Sequence, residues 1–265
     1  MSAPTGISAP QLSATALSKA FGGVHAVDQL SFELESGKVH SIIGPNGAGK
    51  TTLLNLLTGV YAPSSGSVRF EGRDVTGLAP HALAARGMAR TFQNPQNFFN
   101  MSARENVMVG RHLRERAGWF AALLRFPSLA AGERESRNEA AELMQFVGLS
   151  DYLDADADAM PYGALKRLEI ARALGGRPRL LLLDEPAAGL NPTETREIDT
   201  LIARLAESGV TVVLVEHNMR LVMGVSDHIV VLDYGRKLCE GSAEVVRNDP
   251  RVIEAYLGRE ESAAC

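Results

Sequence analysis

Apolar residues follow two different periods along this chain, and these periods separate its strands from its helices. Near the start, "LSFEL" (30–34) alternates apolar and polar residues as a half-buried strand does, and "VHSII" (39–43) is a short apolar strand. "PSSGSVRFEGRDV" (63–75) predicts a turn and an edge hairpin with Val68 and Phe70 on one face. The runs "LLLL" (180–183) and "VTVVLV" (210–215) predict two further buried strands.

Between about 102 and 149 the β-branched runs give way to Ala, Arg, Glu and Leu, which predicts helices. "SARE" (102–105) has capping-box spacing, "NEAAELMQFVGL" (138–149) has helical periodicity, and "PTETREIDTLIARLAESG" (192–209) lies between two strands. In "MPYGALKRLEIARAL" (160–174), apolar residues recur every three positions, which predicts a helix whose apolar face packs inward. Strands that alternate with helices indicate an α/β fold with a mainly parallel sheet, whose ligand binds at the carboxyl ends of the strands.

Composition narrows the class of protein. The 265 residues are 45% hydrophobic and 22% charged, which is enough for a real core, and the net charge of -4 disfavours a nucleic-acid partner. The only cysteines, Cys239 and Cys265, cannot build a disulfide framework, so we expect a reducing cytoplasm. We find neither a signal peptide nor an apolar run of roughly 18 residues. If the protein works at a membrane, we expect another chain to cross it.

The segment "GPNGAGKTT" (44–52) fits the phosphate-loop pattern G-x-x-x-x-G-K-[ST], after a strand and before an apolar helix. Its glycines allow backbone amides to point at a β-phosphate, while Lys50 bridges the β- and γ-phosphates and Thr51 places a hydroxyl on Mg²⁺. A plain glycine turn is the alternative, which this context disfavours.

The segment "LLLLDEP" (180–186) provides acidic residues at the end of a buried strand. Asp184 is predicted to hold the Mg²⁺ shell, and Glu185 to polarise an attacking water. Two solvated acids are the alternative. Together with the phosphate loop, this segment predicts a P-loop nucleotide hydrolase.

From about residue 12 to 258 the chain resembles a narrower family, the ABC ATPases. "MPYGALKRLEIARAL" precedes the "LLLLDEP" strand, where that family carries its signature sequence. The resemblance implies a P-loop core, an antiparallel β subdomain and an α-helical subdomain, with ATP and Mg²⁺ as cofactors. The implied division is a flexible tail at 1–10, the β subdomain and first part of the core at 11–92, the helical subdomain with the signature at 93–168, the second part of the core with the C-terminal helix at 169–258, and a flexible tail at 259–265.

The same resemblance assigns further residues to the nucleotide. Phe21 matches the aromatic residue on which adenine stacks, Gln93 the glutamine that reaches Mg²⁺ and the γ-phosphate, and His217 the switch histidine. A core phenylalanine, a loop glutamine and a strand-end histidine are the alternatives. The predicted ATP-binding residues are Phe21, Val27, Gly44, Pro45, Asn46, Gly47, Ala48, Gly49, Lys50, Thr51 and Thr52. The predicted metal ligands are Thr51, Gln93 and Asp184, and the predicted catalytic residues are Lys50, Glu185 and His217.

The signature departs from the family pattern. In ABC ATPases two cassettes sandwich two ATPs, and each signature helix points at the nucleotide held by the other. The signature positions here are Pro161, Tyr162, Gly163 and Ala164, where the family usually has Ser, Gly, Gly and Gln. Because proline has neither a hydroxyl nor an amide hydrogen, this signature should lose a charge-assisted hydrogen bond of about 1.5–3 kcal/mol. Asn191 also stands where aspartate is usual.

The segments "DEPAAGLNP", "VEHNM" and "VIEAYLG" look like the ATP-binding subunit of branched-chain amino acid importers. This implies a heterodimer with a sister ATPase subunit, although a homodimer stays open, on two multi-span permease subunits at the cytoplasmic face of the inner (plasma) membrane. A solute-binding protein would act indirectly, through the permease. The sister subunit's regular signature would face the ATP of this chain, whose site would then be the more competent one.

Several alternatives stay open at this point. Importers of urea or of other amino acids are close alternatives that differ mainly in their partners. A lipopolysaccharide exporter normally keeps the serine and two glycines of the signature, which disfavours that alternative here. A soluble ABC protein of translation or DNA repair usually fuses two cassettes or inserts a long coiled coil. This sequence shows neither feature, which disfavours that alternative. Glu185 and His217 disfavour a regulatory binder that does not hydrolyse.

An apolar cluster in the middle of the chain has two interpretations. Its residues are Trp119, Phe120, Leu123, Leu124 and Phe126, bordered by arginines. One interpretation is a helix packed on its own subdomain, and the other is a docking surface for the permease.

Overall fold

The strands and helices follow the periods seen in the sequence. In the computed structural model, which describes residues 10–112 and 127–260, the strands are β1 Leu12–Phe21, β2 Val24–Leu34, β3 Val39–Ile43, β4 Ser65–Phe70, β5 Arg73–Asp74, β6 Met88–Arg90, β7 Leu180–Asp184, β8 Thr211–Val215, β9 His228–Asp233 and β10 Arg236–Gly241. The helices are α1 Lys50–Leu57, α2 Pro80–Ala84, α3 Ala103–Gly110, α4 Pro127–Phe146, α5 Tyr162–Gly175, α6 Pro192–Glu207, α7 Met219–Val225, α8 Ala243–Asn248 and α9 Pro250–Glu260. Short 3₁₀ turns, Ser150–Tyr152 and Ala157–Ala159, follow α4.

The chain divides into two units. One is formed by Met1–Leu83 with Ile202–Cys265, and the other by Ala84–Leu201. The boundaries implied by the family resemblance, at 92/93 and 168/169, stay a prediction. The apolar cluster from Trp119 to Phe126 lies outside the described residues, as do residues 1–9 of the predicted N-terminal tail and residues 261–265 of the predicted C-terminal tail.

The first unit contains an antiparallel sheet in the order β2–β1–β4–β5. β1 turns back into β2 at Gly22 and Gly23, whose φ values of 50° and 94° suit glycine because it has no Cβ. Buried and exposed residues alternate in the second half of β2 and at the end of β4, where Val68 and Phe70 are buried. The half-buried strand and the edge hairpin are therefore confirmed, and β2 extends further than "LSFEL".

The same unit contains the strand that leads into the glycine-rich loop. β3 pairs in parallel with both β8 and β9, and β10 pairs antiparallel with β9. All residues of β3 and β8 are buried, as expected for parallel strands covered on both faces. Helices α7, α8 and α9 contribute Val222, Val246 and Val252 to a cluster that contains Ile43. The C-terminal helices therefore pack against the last residue before the loop.

The second unit pairs β6 with β7 in parallel and packs α3, α4 and α5 together. A capping box formed by Ser102 and Glu105 begins α3, as the sequence predicted. α4 ends shortly before Gly148, which has a φ of 75°. In α5, Leu168 and Leu174 are buried, which confirms the inward apolar face of this helix.

The α/β fold class with parallel strands, an antiparallel β region and a helical region is confirmed. Four strands, β1, β6, β9 and β10, were not predicted from the sequence. Register shifts along β1 and a φ of 46° at Ala16 disrupt its alternation, and β6 is three residues long. Within the described residues, no helix combines the length and apolar character needed to cross a bilayer.

Replacing Ile42 by alanine should lower the free energy of unfolding by about 2–5 kcal/mol, because its fully buried side chain would leave a cavity in β3. Ile253→Ala removes the same atoms from a side chain that is 46% exposed on α9, and should change the free energy by less than about 0.5 kcal/mol. Urea unfolding followed by circular dichroism measures both. Equal losses at the two positions would contradict the burial of β3.

Candidate nucleotide-binding and hydrolysis site

The glycine-rich loop connects β3 to α1, and close backbone contacts require its glycines. Gly44 has a φ of 154°, and a Cβ there would lie 2.2 Å from the carbonyl oxygen of Leu232. Gly49 has a φ of 99°, and a Cβ there would lie 2.3 Å from the carbonyl oxygen of Ala26. Any larger residue at either end would therefore push the loop away from β9 or β2.

The start of α1 is suited to an anion. Gly49 is its N-cap, no side chain caps it, and its first turn contains no acidic residue. Uncapped amides and the helix dipole both favour a phosphate at such a position. Lys50 Nζ donates to the carbonyl oxygens of Gly44 at 2.7 Å and Pro45 at 3.1 Å, so its positive charge lies at the loop. Among the other predicted loop residues, Asn46, Gly47 and Thr51 are exposed, Thr52 is partly buried, and Ala48 is buried.

His217 emerges at the same edge of the sheet as the phosphate loop. β3 and β8 are parallel neighbours, with Ile42 opposite Val215. Gly44 and His217 each follow two residues later, at the carboxyl ends of these strands. His217 is exposed, and its amide donates to Glu216 Oε2 at 3.2 Å. The edge where ligands bind in parallel α/β sheets therefore carries both predicted elements.

The predicted adenine platform is a partly exposed aromatic pair. The ring of Phe21, at the end of β1, is 44% exposed and lies edge-on to Tyr61 with a centroid distance of 5.3 Å. Lys19 Nζ lies 5.1 Å from the Phe21 centroid. Tyr61 was not predicted from the sequence, because a single aromatic residue in a loop has no recognisable pattern. Val27 is fully buried, so its predicted contact with ATP stays a prediction.

In the second unit, Asp184 ends β7 and pairs with an arginine that was not predicted from the sequence. Arg90 Nη2 lies 2.8 Å from Asp184 Oδ2, and the two side chains are 8% and 9% exposed. The parallel register places Arg90 opposite Leu182, which brings its side chain to the same end of the strand pair. A buried carboxylate needs such a partner, because an isolated buried charge is strongly unfavourable.

Glu185 and Gln93 lie together in this unit. Glu185 has a φ of 48°, in the left-handed region that side chains other than glycine rarely adopt and that occurs at functional sites. Gln93 Nε2 donates to Glu185 Oε2 at 2.7 Å, although the residues are 92 positions apart. A partly buried carboxylate next to the Asp184 strand end can accept a hydrogen bond from a water molecule, as a general base does.

The predicted metal ligands have the oxygen chemistry that Mg²⁺ prefers. They are the hydroxyl of Thr51, the amide oxygen of Gln93 and the carboxylate of Asp184. Among residues 10–112 and 127–260, no group of three or more His, Cys, Asp or Glu side chains could hold a metal ion. Because Mg²⁺ commonly binds through one or two carboxylates plus substrate phosphates, this donor set suits a metal that arrives with a nucleotide.

The signature helix, α5, begins at Tyr162 with Pro161 as its N-cap, and no side chain caps it. A Cβ on buried Gly163 would lie 2.5 Å from Glu194 Oε1, so a carboxylate of α6 lies against the first turn of α5. This negative charge is favourable to the helix dipole and unfavourable to a second anion. Ala164 is buried and presents no polar group.

The residues around the signature keep their local structure in spite of the departures. A Cβ on Gly189 would lie 3.2 Å from the Tyr162 ring, so the ring covers that glycine. Asn191 Oδ1 accepts hydrogen bonds from the amides of Thr193 at 2.9 Å and Glu194 at 3.0 Å, and so caps α6. Asparagine is among the best N-cap residues. The unusual residues therefore change the chemistry of the signature without disrupting its helices.

Two family models match this chain. The ABC transporter model matches residues 27–188, which include the phosphate loop, Gln93, the signature and Asp184. The model of the branched-chain amino acid ATP-binding cassette transporter matches residues 236–262, which include β10, α8 and α9.

Individual proteins extend the similarity to nearly the whole chain. The high-affinity branched-chain amino acid transport ATP-binding protein BraF of Pseudomonas aeruginosa is 46% identical over 95% of this chain and 99% of its own length. The corresponding LivG protein of Escherichia coli is 44% identical over the same shares. A crystal structure of the ADP conformation of an ATP-binding cassette of an ABC transporter has a TM-score of 0.81 and 32% identity, and covers 94% of this chain and 99% of that one. The chain belongs to the ABC transporter family, as one of its ATP-hydrolysing cassettes.

Proposed function

We propose that this chain is the ATP-hydrolysing subunit of a membrane importer of branched-chain or related amino acids. The observation that carries the hydrolytic part is the 2.7 Å hydrogen bond between Gln93 and Glu185, next to Asp184. The transport part is supported by the similarity to BraF and LivG over 95% of the chain. The C-terminal match to the branched-chain amino acid model supports the same solute class.

Each predicted residue has a role in this proposal. Phe21 stacks on adenine, the amides of the phosphate loop and the ammonium of Lys50 bind the β- and γ-phosphates, and His217 contacts the γ-phosphate. Glu185 orients the attacking water and accepts its hydrogen bond. Thr51, Gln93 and Asp184 would hold a Mg²⁺ ion, which would neutralise negative charge on the phosphate oxygens. Amides and cations that are fixed around the γ-phosphate stabilise the negative charge that develops on its oxygens in the transition state of transfer to water.

The signature supports an asymmetric pair of cassettes. Pro161 provides no hydroxyl, and the Glu194 carboxylate lies against the first turn of α5. Both features weaken the binding of a γ-phosphate that a partner presents. We therefore propose a heterodimer in which a sister ATPase contributes the effective signature to the ATP held by this chain. The pair would be held at the cytoplasmic face of the membrane by two multi-span permease subunits, which receive the solute from a binding protein.

Replacing Lys50 by alanine should weaken Mg·ATP binding by about 10- to 100-fold, because charge-assisted hydrogen bonds of about 1.5–3 kcal/mol are lost. Isothermal titration calorimetry on the purified chain measures the affinity. Lys38→Ala is the control, since that lysine is 44% exposed and pairs with Glu35 at 2.6 Å. We expect the control to bind as the wild type does. Wild-type affinity in Lys50→Ala would remove the proposed role of the loop.

Replacing Glu185 by glutamine should keep ATP binding and lower kcat by at least about 100-fold, because the water loses its general base. Phosphate release by the chain mixed with its sister subunit measures kcat. Glu244→Gln, at an exposed residue in the first turn of α8, is the control and should keep wild-type turnover. The asymmetric pair also predicts a smaller loss when the corresponding glutamate of the sister is replaced. Unchanged turnover in Glu185→Gln would contradict both statements.

A further inference from the structure

One face of α5 carries three charged residues that are largely buried. Lys166, Glu169 and Arg172 follow one another at a spacing of three residues, which places them on one side of the helix. Lys166 and Glu169 are each 2% exposed, and the side chain of Arg172 is 16% exposed. Lysine and glutamate are almost never this buried unless they are paired. These three residues, here called the polar ladder, therefore require specific partners.

The partner of Lys166 is the backbone of the hydrolytic residues. Its Nζ donates to the carbonyl oxygen of Gln93 and, at 3.2 Å, to the carbonyl oxygen of Glu185. The side chains of the same two residues bond each other at 2.7 Å. One ammonium group therefore holds both backbone segments from which the Gln93–Glu185 hydrogen bond is built.

The other two members bond the same loop further along. The amide of Phe92 donates to Glu169 Oε1 at 3.0 Å, and Arg172 donates to the carbonyl oxygen of Gln96. Arg172 Nη2 lies 3.9 Å from Glu169 Oε1. Burial raises the pKa of the Glu169 carboxyl, while the Phe92 amide and the two cations of the ladder oppose this rise.

Further hydrogen bonds secure the end of the loop. Asn97 Nδ2 donates to the carbonyl oxygen of Leu165 at 3.0 Å. The side chain of Asn106, on α3, accepts from the amide of Phe98 at 2.7 Å and donates to its carbonyl oxygen at 3.0 Å. Side chains of α5 and α3 thus hold the backbone between residues 92 and 98, while the side chain of Gln93 reaches Glu185. Because several of its backbone groups are bonded to α5, we expect the loop at residues 92–98 to move together with that helix.

We propose that the polar ladder positions the Gln93–Glu185 pair for hydrolysis and couples this pair to the signature helix. The proposal rests on the proposed function, because it assigns Glu185 to the attacking water. Lys166, Glu169 and Arg172 are positioning residues, since they contact the backbone of the hydrolytic residues. The ladder lies on the helix whose first turn is the signature. A displacement of that turn by a partner's nucleotide therefore moves Gln93 and the backbone of Glu185 together.

The first test replaces Lys166 by methionine, which keeps most of the side-chain volume and removes the charge. We expect kcat to fall by about 10- to 100-fold, as for a small misplacement of reacting groups, with little change in KM for ATP. Lys166→Arg retains a donor and should recover most of kcat. The control is Arg111→Met in the same unit, because Arg111 is 5% exposed and pairs with Glu139 on α4 at 3.1 Å. We expect it to lose stability and keep kcat.

A double variant separates positioning from a general loss of stability. Because Lys166 is proposed to position the Gln93–Glu185 pair, Lys166→Met combined with Gln93→Ala should lower kcat by less than the product of the two single losses. Independent effects would multiply instead. Wild-type kcat in Lys166→Met, a change confined to KM, or multiplied losses in the double variant would each overturn the proposal.

A third measurement does not depend on hydrolysis. Amide hydrogen exchange on the purified chain should be faster across residues 92–98 in Lys166→Met than in the wild type, and unchanged there in Arg111→Met. If wild-type exchange persists in Lys166→Met, the ladder does not hold the loop and the proposal fails. A wild-type chain that hydrolyses no ATP with its sister subunit would instead overturn the proposed function, whatever the exchange shows.

Discussion

In each unit, the candidate residues depend on buried parallel strands that leave their ends available for polar chemistry. Each residue of β3 and β8 is buried, and so are the four leucines of β7 that precede Asp184, so the side chains along these strands are shielded from solvent. Where such a strand ends, the backbone amides and the next side chains become accessible together. In the first unit the phosphate loop follows β3 and His217 follows β8, and in the second unit Asp184 is the last residue of β7 and Glu185 follows it. The apolar core therefore determines where the nucleotide chemistry can occur.

The sequence is informative wherever a residue's role depends on its near neighbours. The phosphate loop is recognisable because Gly44 and Gly49 are required by contacts that flank one short loop. Asp184 and Glu185 are recognisable because four leucines precede them. Arg90 could not be predicted, because its contact with Asp184 joins residues 94 positions apart and depends on the pairing of β6 with β7. The role of Lys166 could not be predicted either, because it bonds to backbone carbonyl oxygens, which have no pattern in the sequence.

The departures in the signature are consistent with one another. Pro161 removes a hydroxyl and an amide hydrogen, and Glu194 adds a carboxylate next to Gly163. At the same time Tyr162 covers Gly189, and Asn191 caps α6. The fold of this region is therefore kept, while its attraction for an anion is reduced. This combination is expected in a chain whose signature contributes less to a neighbour's nucleotide than its own phosphate loop contributes to ATP bound in cis.

The buried charged side chains of the second unit fix the positions of neighbouring atoms more than they stabilise the fold. Burying an ion pair or an ammonium group costs desolvation energy that an apolar replacement would avoid, so such groups are weak evidence for stability. Their hydrogen bonds, however, are directional and short-ranged, and they fix the atoms that they join. Lys166 and Arg172 are bonded to carbonyl oxygens of the loop, and Glu169 to an amide. Because backbone groups are held, the side chain of Gln93 stays available for the hydrogen bond to Glu185 on which the proposed hydrolysis depends.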